Sequence, residues 1–316
     1  MVLGWLRDEF RLEAETLRTN GQWITRLGHR VRKNVFHQLL ECNRAIPCLG
    51  LSGGLICCLA VAVLLLLDIG NTHTHAGLAH GRRIKGVGEF PTAGWRGGDA
   101  MARLTRLIGT NPVTAVALCS VVPSVTPLVE RQVRREWKLP CFRLTHETVR
   151  GIGIDYPAPA SIGPDRLANA IGVRHLQGVP AVVVDFGTAV TFDVVNRRGD
   201  YVGGIIAPGL AAMTGYLHEK TALLPRIEIR EVSRAVGKST EEAMLIGAVH
   251  GYRGLIRGLI QRLKEELRCR RLPVVATGGY ARLMARKLPE ITAVDPLLTL
   301  KGLRTAWELN ESARRA

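Results

Sequence analysis

Beyond about residue 61, short apolar runs of strand length alternate with segments of helical period. Residues 61–67 are uniformly apolar, the pattern of a strand buried on both faces. Residues 74–78 and 83–89 read as a second and third strand, completing a meander. A helix is predicted over 99–108, a buried strand over 114–120, and helices over 126–137 and 163–176. The three-strand meander then returns at 181–185, 190–196 and 201–207, its last hairpin closed by Arg197-Arg198-Gly199-Asp200. Ser239-Thr240-Glu241-Glu242 is a capping box. It opens a long helix whose apolar positions are Leu245, Val249, Tyr252, Ile256, Ile260 and Leu263. Gly247, Gly251, Gly254 and Gly258 on that helix permit close approach of another helix, within or between subunits. A final core strand over 273–277 runs into Gly278-Gly279. Two meander-then-helix units predict an α/β duplication rather than one Rossmann sheet.

The first sixty residues follow another pattern. Residues 1–44 are helical in character and basic, and residues 45–67 form an almost uncharged run. That run is long enough to cross a bilayer, for which about 20 apolar residues suffice. Its last part, 61–67, has a competing role as the strand that aims Asp68. The remainder is short for a span and contains Pro47, Gly50, Gly53 and Gly54. The apolar run starts too far from Met1 for a signal peptide. Three readings stay open: a loose extension from an over-extended start, a peripheral or re-entrant membrane contact, and a true span. The expected organisation is an amino-terminal extension over 1–60, a first half over 61–180 and a second half over 181–316.

Composition adds limits. At 47% hydrophobic but 5% aromatic residues, the core must be built mainly from aliphatic side chains. The net charge is +16, yet the basic residues are scattered rather than interleaved with aromatics. The densest stretch, Arg253, Arg257, Arg262, Lys264, Arg268, Arg270 and Arg271, reads as a solvated helix face. No nucleic-acid partner is expected. The seven cysteines include no matched CxxC pairs, and are read as reduced thiols of a cytoplasmic protein.

The candidate chemistry sits at two strand ends. Asp68-Ile69-Gly70-Asn71-Thr72 follows the first strand, and Asp185-Phe186-Gly187-Thr188 follows the strand over 181–185. A carboxylate, a glycine that admits backbone to a ligand, and a hydroxyl suit a metal-bound nucleotide phosphate. One such turn is common in hairpins. A matched pair suggests two related halves facing one site. His73 and His75 alternate along a strand without a third ligand, and are not expected to bind metal.

Further motifs occur in order: Ser120-Val121-Val122-Pro123, Gly163-Pro164-Asp165-Arg166-Leu167-Ala168-Asn169, and Gly203-Gly204-Ile205-Ile206-Ala207-Pro208-Gly209. Thr221-Ala222-Leu223-Leu224-Pro225, Val236-Gly237-Lys238-Ser239-Thr240-Glu241-Glu242 and Thr277-Gly278-Gly279 follow. With the two acidic turns, they resemble a type III pantothenate kinase from about Leu64 to Arg304. The family belongs to the acetate-kinase, sugar-kinase, heat-shock-70 and actin superfamily. The resemblance implies duplicated actin/ribonuclease-H-like domains with ATP in the cleft between them. It implies ATP-dependent phosphorylation of pantothenate at its 4′-hydroxyl, the first step toward coenzyme A, by a homodimer.

The resemblance also implies roles. Asp165 would be the general base, with a helix cap as its rival reading. Tyr156, Gly163, Pro164 and Arg166 would line the pantothenate pocket, and Thr221 would reach the neighbouring subunit's substrate. Structural roles stay open for Tyr156 and Thr221. Asp68 would orient Mg²⁺, directly or through water. Gly70, Asn71, Thr72, Gly187 and Thr188 would contact phosphate. Asp185 would lie near a monovalent cation, K⁺ or NH₄⁺. Gly278 and Gly279 would pass the adenosine, a plain strand-to-helix turn being the alternative. Pro164 stands where the family usually has alanine and fits a first helical turn. The extension is foreign to the family. A regulatory protein on the same scaffold, a transcriptional accessory factor, is the alternative function; a kinase for another small alcohol is a third.

Overall fold

The computed structural model describes residues 63–315, which belong to one compact unit, Leu59–Ala316. The helical and membrane-contact expectations for residues 1–60 lie outside the described residues. Strand β1 (Val63–Ile69) runs antiparallel to β2 (His73–His80), which runs antiparallel to β3 (Arg83–Pro91). Helices α1 (Gly94–Gly97) and α2 (Asp99–Ile108) lead to β4 (Val113–Ser120), parallel to β1. Helix α3 (Thr126–Trp137) and strand β5 (Cys141–Arg143) complete a sheet of order β3-β2-β1-β4-β5.

After β6 (Gly153–Ile154) and α4 (Pro164–Gln177), the same path is traced again. Strands β7 (Ala181–Phe186), β8 (Ala189–Val195) and β9 (Asp200–Pro208) form the second antiparallel meander. Helices α5 (Leu210–Lys220), α6 (Thr240–Ile246) and α7 (Tyr252–Glu266) precede β10 (Val274–Thr277), parallel to β7. Helix α8 (Ala281–Ala285), strand β11 (Ala293–Val294) and helix α9 (Leu298–Arg315) end the chain. The second sheet has the order β11-β10-β7-β8-β9-β6. Without β6, this is the first sheet's order, so the duplication expected from the paired meanders is present. The short β6 precedes α4 in sequence yet pairs with β9 of the second sheet.

Alternation along β1 distributes its side chains to two faces. Val63, Leu65 and Leu67 pack with Leu104 of α2 and Val129 of α3. Leu64 and Leu66 share a core with Leu167 and Ile171 of α4, Leu298 and Leu303 of α9, and Ala181 and Val183 of β7. Helices α4 and α9 therefore form a layer common to both sheets. They meet backbone to backbone: a Cβ on Gly172 would stand 2.9 Å from the Leu298 carbonyl, and one on Gly302 would strike the Ala168 carbonyl.

Three features depart from the sequence reading. The helix opened by Ser239 is interrupted by a π-helical turn, Gly247–Gly251, between α6 and α7. Its cap is as expected: Ser239 Oγ accepts from the Glu242 N–H at 3.1 Å. Helix α9 has no counterpart among the elements read from the pattern, because buried Thr299, Gly302 and Arg304 break its apolar stripe. The basic stretch is not wholly a solvated face. Arg253 is only 3% exposed, donating two bonds of 2.8 Å to the Glu231 carboxylate and one of 2.6 Å to the Leu283 carbonyl.

Candidate active site

The first acidic turn joins β1 to β2. Register pairing sets Asp68 opposite His75 of β2 and Cys119 of β4, at the end of the buried run. The turn is closed by the Gly70 N–H, which donates to the His73 carbonyl at 3.0 Å. It is held from behind by Thr92, whose Oγ1 donates to the Gly70 carbonyl at 2.7 Å and whose N–H donates to the Thr72 carbonyl at 2.9 Å. Trp95 anchors the support, donating from Nε1 to Thr74 Oγ1 at 3.0 Å. Thr92 and Trp95 carry no motif that the sequence reading used.

The second turn repeats the device between β7 and β8. The Gly187 N–H donates to the Ala189 carbonyl at 3.1 Å, and the Gly209 N–H to the Thr188 carbonyl at 3.1 Å. Gly278, after β10, closes over it. Its φ is +86°, a region that disfavours side chains, and a Cβ there would stand 2.5 Å from Asp185 Oδ1. Gly279 follows in open space.

The two turns meet. Thr72 Oγ1 and Thr188 Oγ1 are 3.3 Å apart. Asp165, in the first turn of α4, joins them electrostatically. Pro164 is the first residue of that helix and Gly163 its cap, where a Cβ would stand 2.5 Å from Asp165 Oδ1. Asp165 Oδ1 accepts from the Arg166 N–H at 2.8 Å, so the helix-terminal role open in the sequence is present alongside any other.

Burial and the Asp165 charge raise both turn carboxyls. Burial, then the charges of Asp165 and Asp185, push Asp68 up to about 8, against a bond from the Cys119 thiol to Asp68 Oδ1 at 3.5 Å. Burial and the Asp165 charge push Asp185 up to about 6, although the Asn169 amide opposes this. Asp165 itself is raised by burial, against the Arg166 N–H and guanidinium. Among the described residues, the groups acting on Asp68 are two carboxylates and a thiol, with no Lys or Arg. The site is a nest of hard oxygen donors in which carboxyl groups outnumber cationic ones, a donor set that fits Mg²⁺ or K⁺ better than a soft metal.

Arg166 points away from open space. It donates from Nε to Asp193 Oδ1 at 2.5 Å and from Nη2 to the Phe192 carbonyl at 2.9 Å. Its guanidinium lies 5.8 Å from the Tyr201 ring centroid, and Tyr201 meets Tyr156 edge-on at 6.1 Å. Asp193 is fully buried; burial lifts it to about 7 while Arg166 pulls it down. Tyr156 is 37% exposed and stands beside Gly203, whose φ is +119°. Arg166, Tyr156 and Tyr201 thus form one wall next to Asp165. The sequence gives no signal for a role of Asp193, Tyr201 or Asn169; Asp193 is one polar residue in a strand run.

Thr221 is not brought to this cluster by its own bonds. It follows α5, is exposed, donates to the Leu217 carbonyl at 2.9 Å and accepts from the Leu224 N–H at 3.3 Å. His73 and His75 face Glu89, at 3.7 and 3.9 Å. Among the described residues, no group of three His, Cys, Asp or Glu side chains could hold a metal ion by itself. A cation here would need ligands from a phosphate or water. No described helix is long and apolar enough to cross a membrane.

Comparison with known proteins bears on the fold and the family. The crystal structure of a Campylobacter jejuni protein described as a Baf family transcriptional activator superposes with a TM-score of 0.53. It is 20% identical, over 78% of this chain and 99% of that one, a likeness of fold alone. A protein of Methylacidiphilum infernorum named type III pantothenate kinase is 44% identical, over 78% of this chain and 88% of its own length. One of that name from Akkermansia muciniphila is 50% identical, over 66% of this chain and 84% of its own. The family model for type III pantothenate kinase matches residues 64–262. The chain belongs to the type III pantothenate kinase family.

Proposed function

We propose that this protein transfers the γ-phosphoryl group of ATP to the 4′-hydroxyl of pantothenate, yielding 4′-phosphopantothenate for coenzyme A synthesis. The observation that carries the reading is the meeting of the two acidic turns, through Thr72 and Thr188, beside Asp165. Phosphoryl transfer asks mainly for positioning and charge neutralisation. The backbone of Asn71, Thr72 and Thr188 and the two threonine hydroxyls supply donors for phosphate oxygens, while Gly70 and Gly187, whose own N–H groups close the turns, let the phosphate approach the backbone. Gly278 and Gly279 leave room for the adenosine.

Asp165 is our general base. A carboxylate lifted by burial takes a hydroxyl proton more readily than a free one at neutral pH. Arg166 serves the substrate indirectly as well as by contact, since its Asp193 pair fixes the wall carrying Tyr156 and Tyr201. Gly163 and Pro164 set the start of α4 so that Asp165 faces that wall.

Kinases of this kind use ATP with a metal ion; when bound, the cation neutralises phosphate charge. Asp68 would hold Mg²⁺, directly or through water, and Asp185 would lie by K⁺ or NH₄⁺. The excess of carboxylate over local cation supports both.

We read the enzyme as a cytoplasmic homodimer. The exposed apolar residues Met213, Tyr216, Leu217 and Leu223 support a second copy, as do Gly247, Gly251, Gly254 and Gly258, whose outward sides meet nothing. Thr221 lies among these residues, which is where a contribution to a neighbour's site would come from. The two halves are taken as 61–180 and 181–316, with α9 returning to the first sheet. An assay of phosphate transfer from ATP to pantothenate, against a panel of sugars and other small alcohols, tests the reading. Turnover confined to pantothenate supports it, and preference for a sugar overturns it.

A further inference from the structure

We propose that Asn169, held by Thr299 of the last helix, is a positioning residue that orients Asp185 toward the second phosphate turn. The inference rests on the kinase reading of that turn, but its geometry is independent. Asn169 is 1% exposed on α4. Its Nδ2 donates to Asp185 Oδ2 at 3.0 Å and to Asp193 Oδ2 at 3.4 Å, while its Oδ1 accepts from Thr299 Oγ1 at 2.8 Å.

With Asp185 ionised, as it is once a cation is bound, the partners favour one arrangement. An ionised carboxylate only accepts, so the amide must turn its NH₂ to Asp185 and Asp193. The amide oxygen then needs a donor, and Thr299 supplies it. Asp185 Oδ2 is thereby occupied, and Oδ1 lies toward Gly278 and Gly187, 2.5 and 3.8 Å from the points where their Cβ atoms would be. Thr299 cannot drift, because Gly172 and Gly302 seat α9 against the α4 backbone on either side of it. Two side chains thus connect the carboxy-terminal helix to the turn that carries Gly187 and Thr188. Neither would touch substrate.

Thr299→Val removes the hydroxyl and keeps the shape; Thr299→Ser keeps the hydroxyl. Full-length enzymes are compared in kcat, in KM for ATP and for pantothenate, and in the rise of melting temperature on adding ATP with Mg²⁺. Loss of a partner behind a ligating group lowers function about tenfold or more. The valine variant is expected to lose about that factor in kcat and at least half of the nucleotide-induced rise, with the pantothenate KM little changed. Serine is expected to restore both. If Thr299→Val does not fold, Thr299→Ala takes its place in the same comparison. Equal kcat and equal nucleotide-induced rise in the valine and serine enzymes would overturn the inference, whatever the melting temperature of the free protein. If the wild type fails to phosphorylate pantothenate yet the nucleotide effect still separates valine from serine, the function falls and the positioning role stands.

Discussion

Thr72 and Thr188 touch at 3.3 Å through their hydroxyls, although the chain between them spans 116 positions. Each closes an acidic turn at the end of a central strand, and the contact brings the two equivalent turns of a duplicated fold together. Thr188→Val is expected to raise the KM for ATP about tenfold, the value of one hydrogen bond to a charged group. The pantothenate KM should move little. Steady-state kinetics with each substrate varied checks this, and an unchanged ATP KM would remove Thr188 from the phosphate site.

Gly278 holds φ +86° where a Cβ would also meet Asp185 Oδ1 at 2.5 Å and the Phe186 nitrogen at 2.7 Å. Backbone strain of this kind costs about 1–3 kcal/mol. Gly278→Ala should therefore lower stability by about that amount in urea unfolding and weaken nucleotide binding as the turn is displaced. Gly279→Ala, with open space around it, should do neither.

Arg166 and Asp193 form the buried pair beside Asp165, the proposed base. Arg166→Met leaves a carboxylate of zero exposure without its cationic partner and with only the Asn169 amide, at 3.4 Å, which costs about 3 kcal/mol. Restoring a neutral pair with Asp193→Leu in the same chain should recover much of that stability while activity stays low. Were Arg166 only a substrate contact, Arg166→Met would leave the urea midpoint where it was.

The carboxylate nest sets a pH dependence. Asp68 sits near 8 in the folded protein against 3.8 when free, with burial the main cause. The folded state holds this proton where the unfolded state has released it. The associated stability is full below about pH 4 and is lost as pH rises through about 8. Asp185, near 6, and Asp193, near 7, act in the same direction. Without metal or nucleotide, the melting temperature should fall between pH 5.5 and 8.5. Asp68→Asn, which mimics the neutral acid, should fall less steeply; parallel curves for the two proteins would contradict the assignment.

Much of this was legible from the chain. The unbroken apolar run of β1 and the repeat of the meander specify two like sheets, because strand length and alternation are local properties. The two acidic turns could be read because they form a matched pair, each after an apolar strand, where one alone would have passed for a hairpin turn. What escaped were long-range partners. Nothing around Thr92 announces that it closes the Gly70 turn, and Asp193 looks like one polar residue in a strand. Helix α9 hid behind Thr299, Gly302 and Arg304, which are buried for the sake of α4 and Arg82 rather than of an apolar stripe. The π-helical turn at Gly247–Gly251 leaves the apolar spacing intact and so was invisible to it.

The most direct test is turnover by Asp165→Asn beside the wild type, with ATP, Mg²⁺ and K⁺ present and pantothenate as acceptor. The variant should fold, bind ATP and turn over about 10²-fold or more slowly, because it keeps the shape of Asp165 and loses the proton acceptor. Near-normal formation of 4′-phosphopantothenate by the purified variant would contradict the account at its centre.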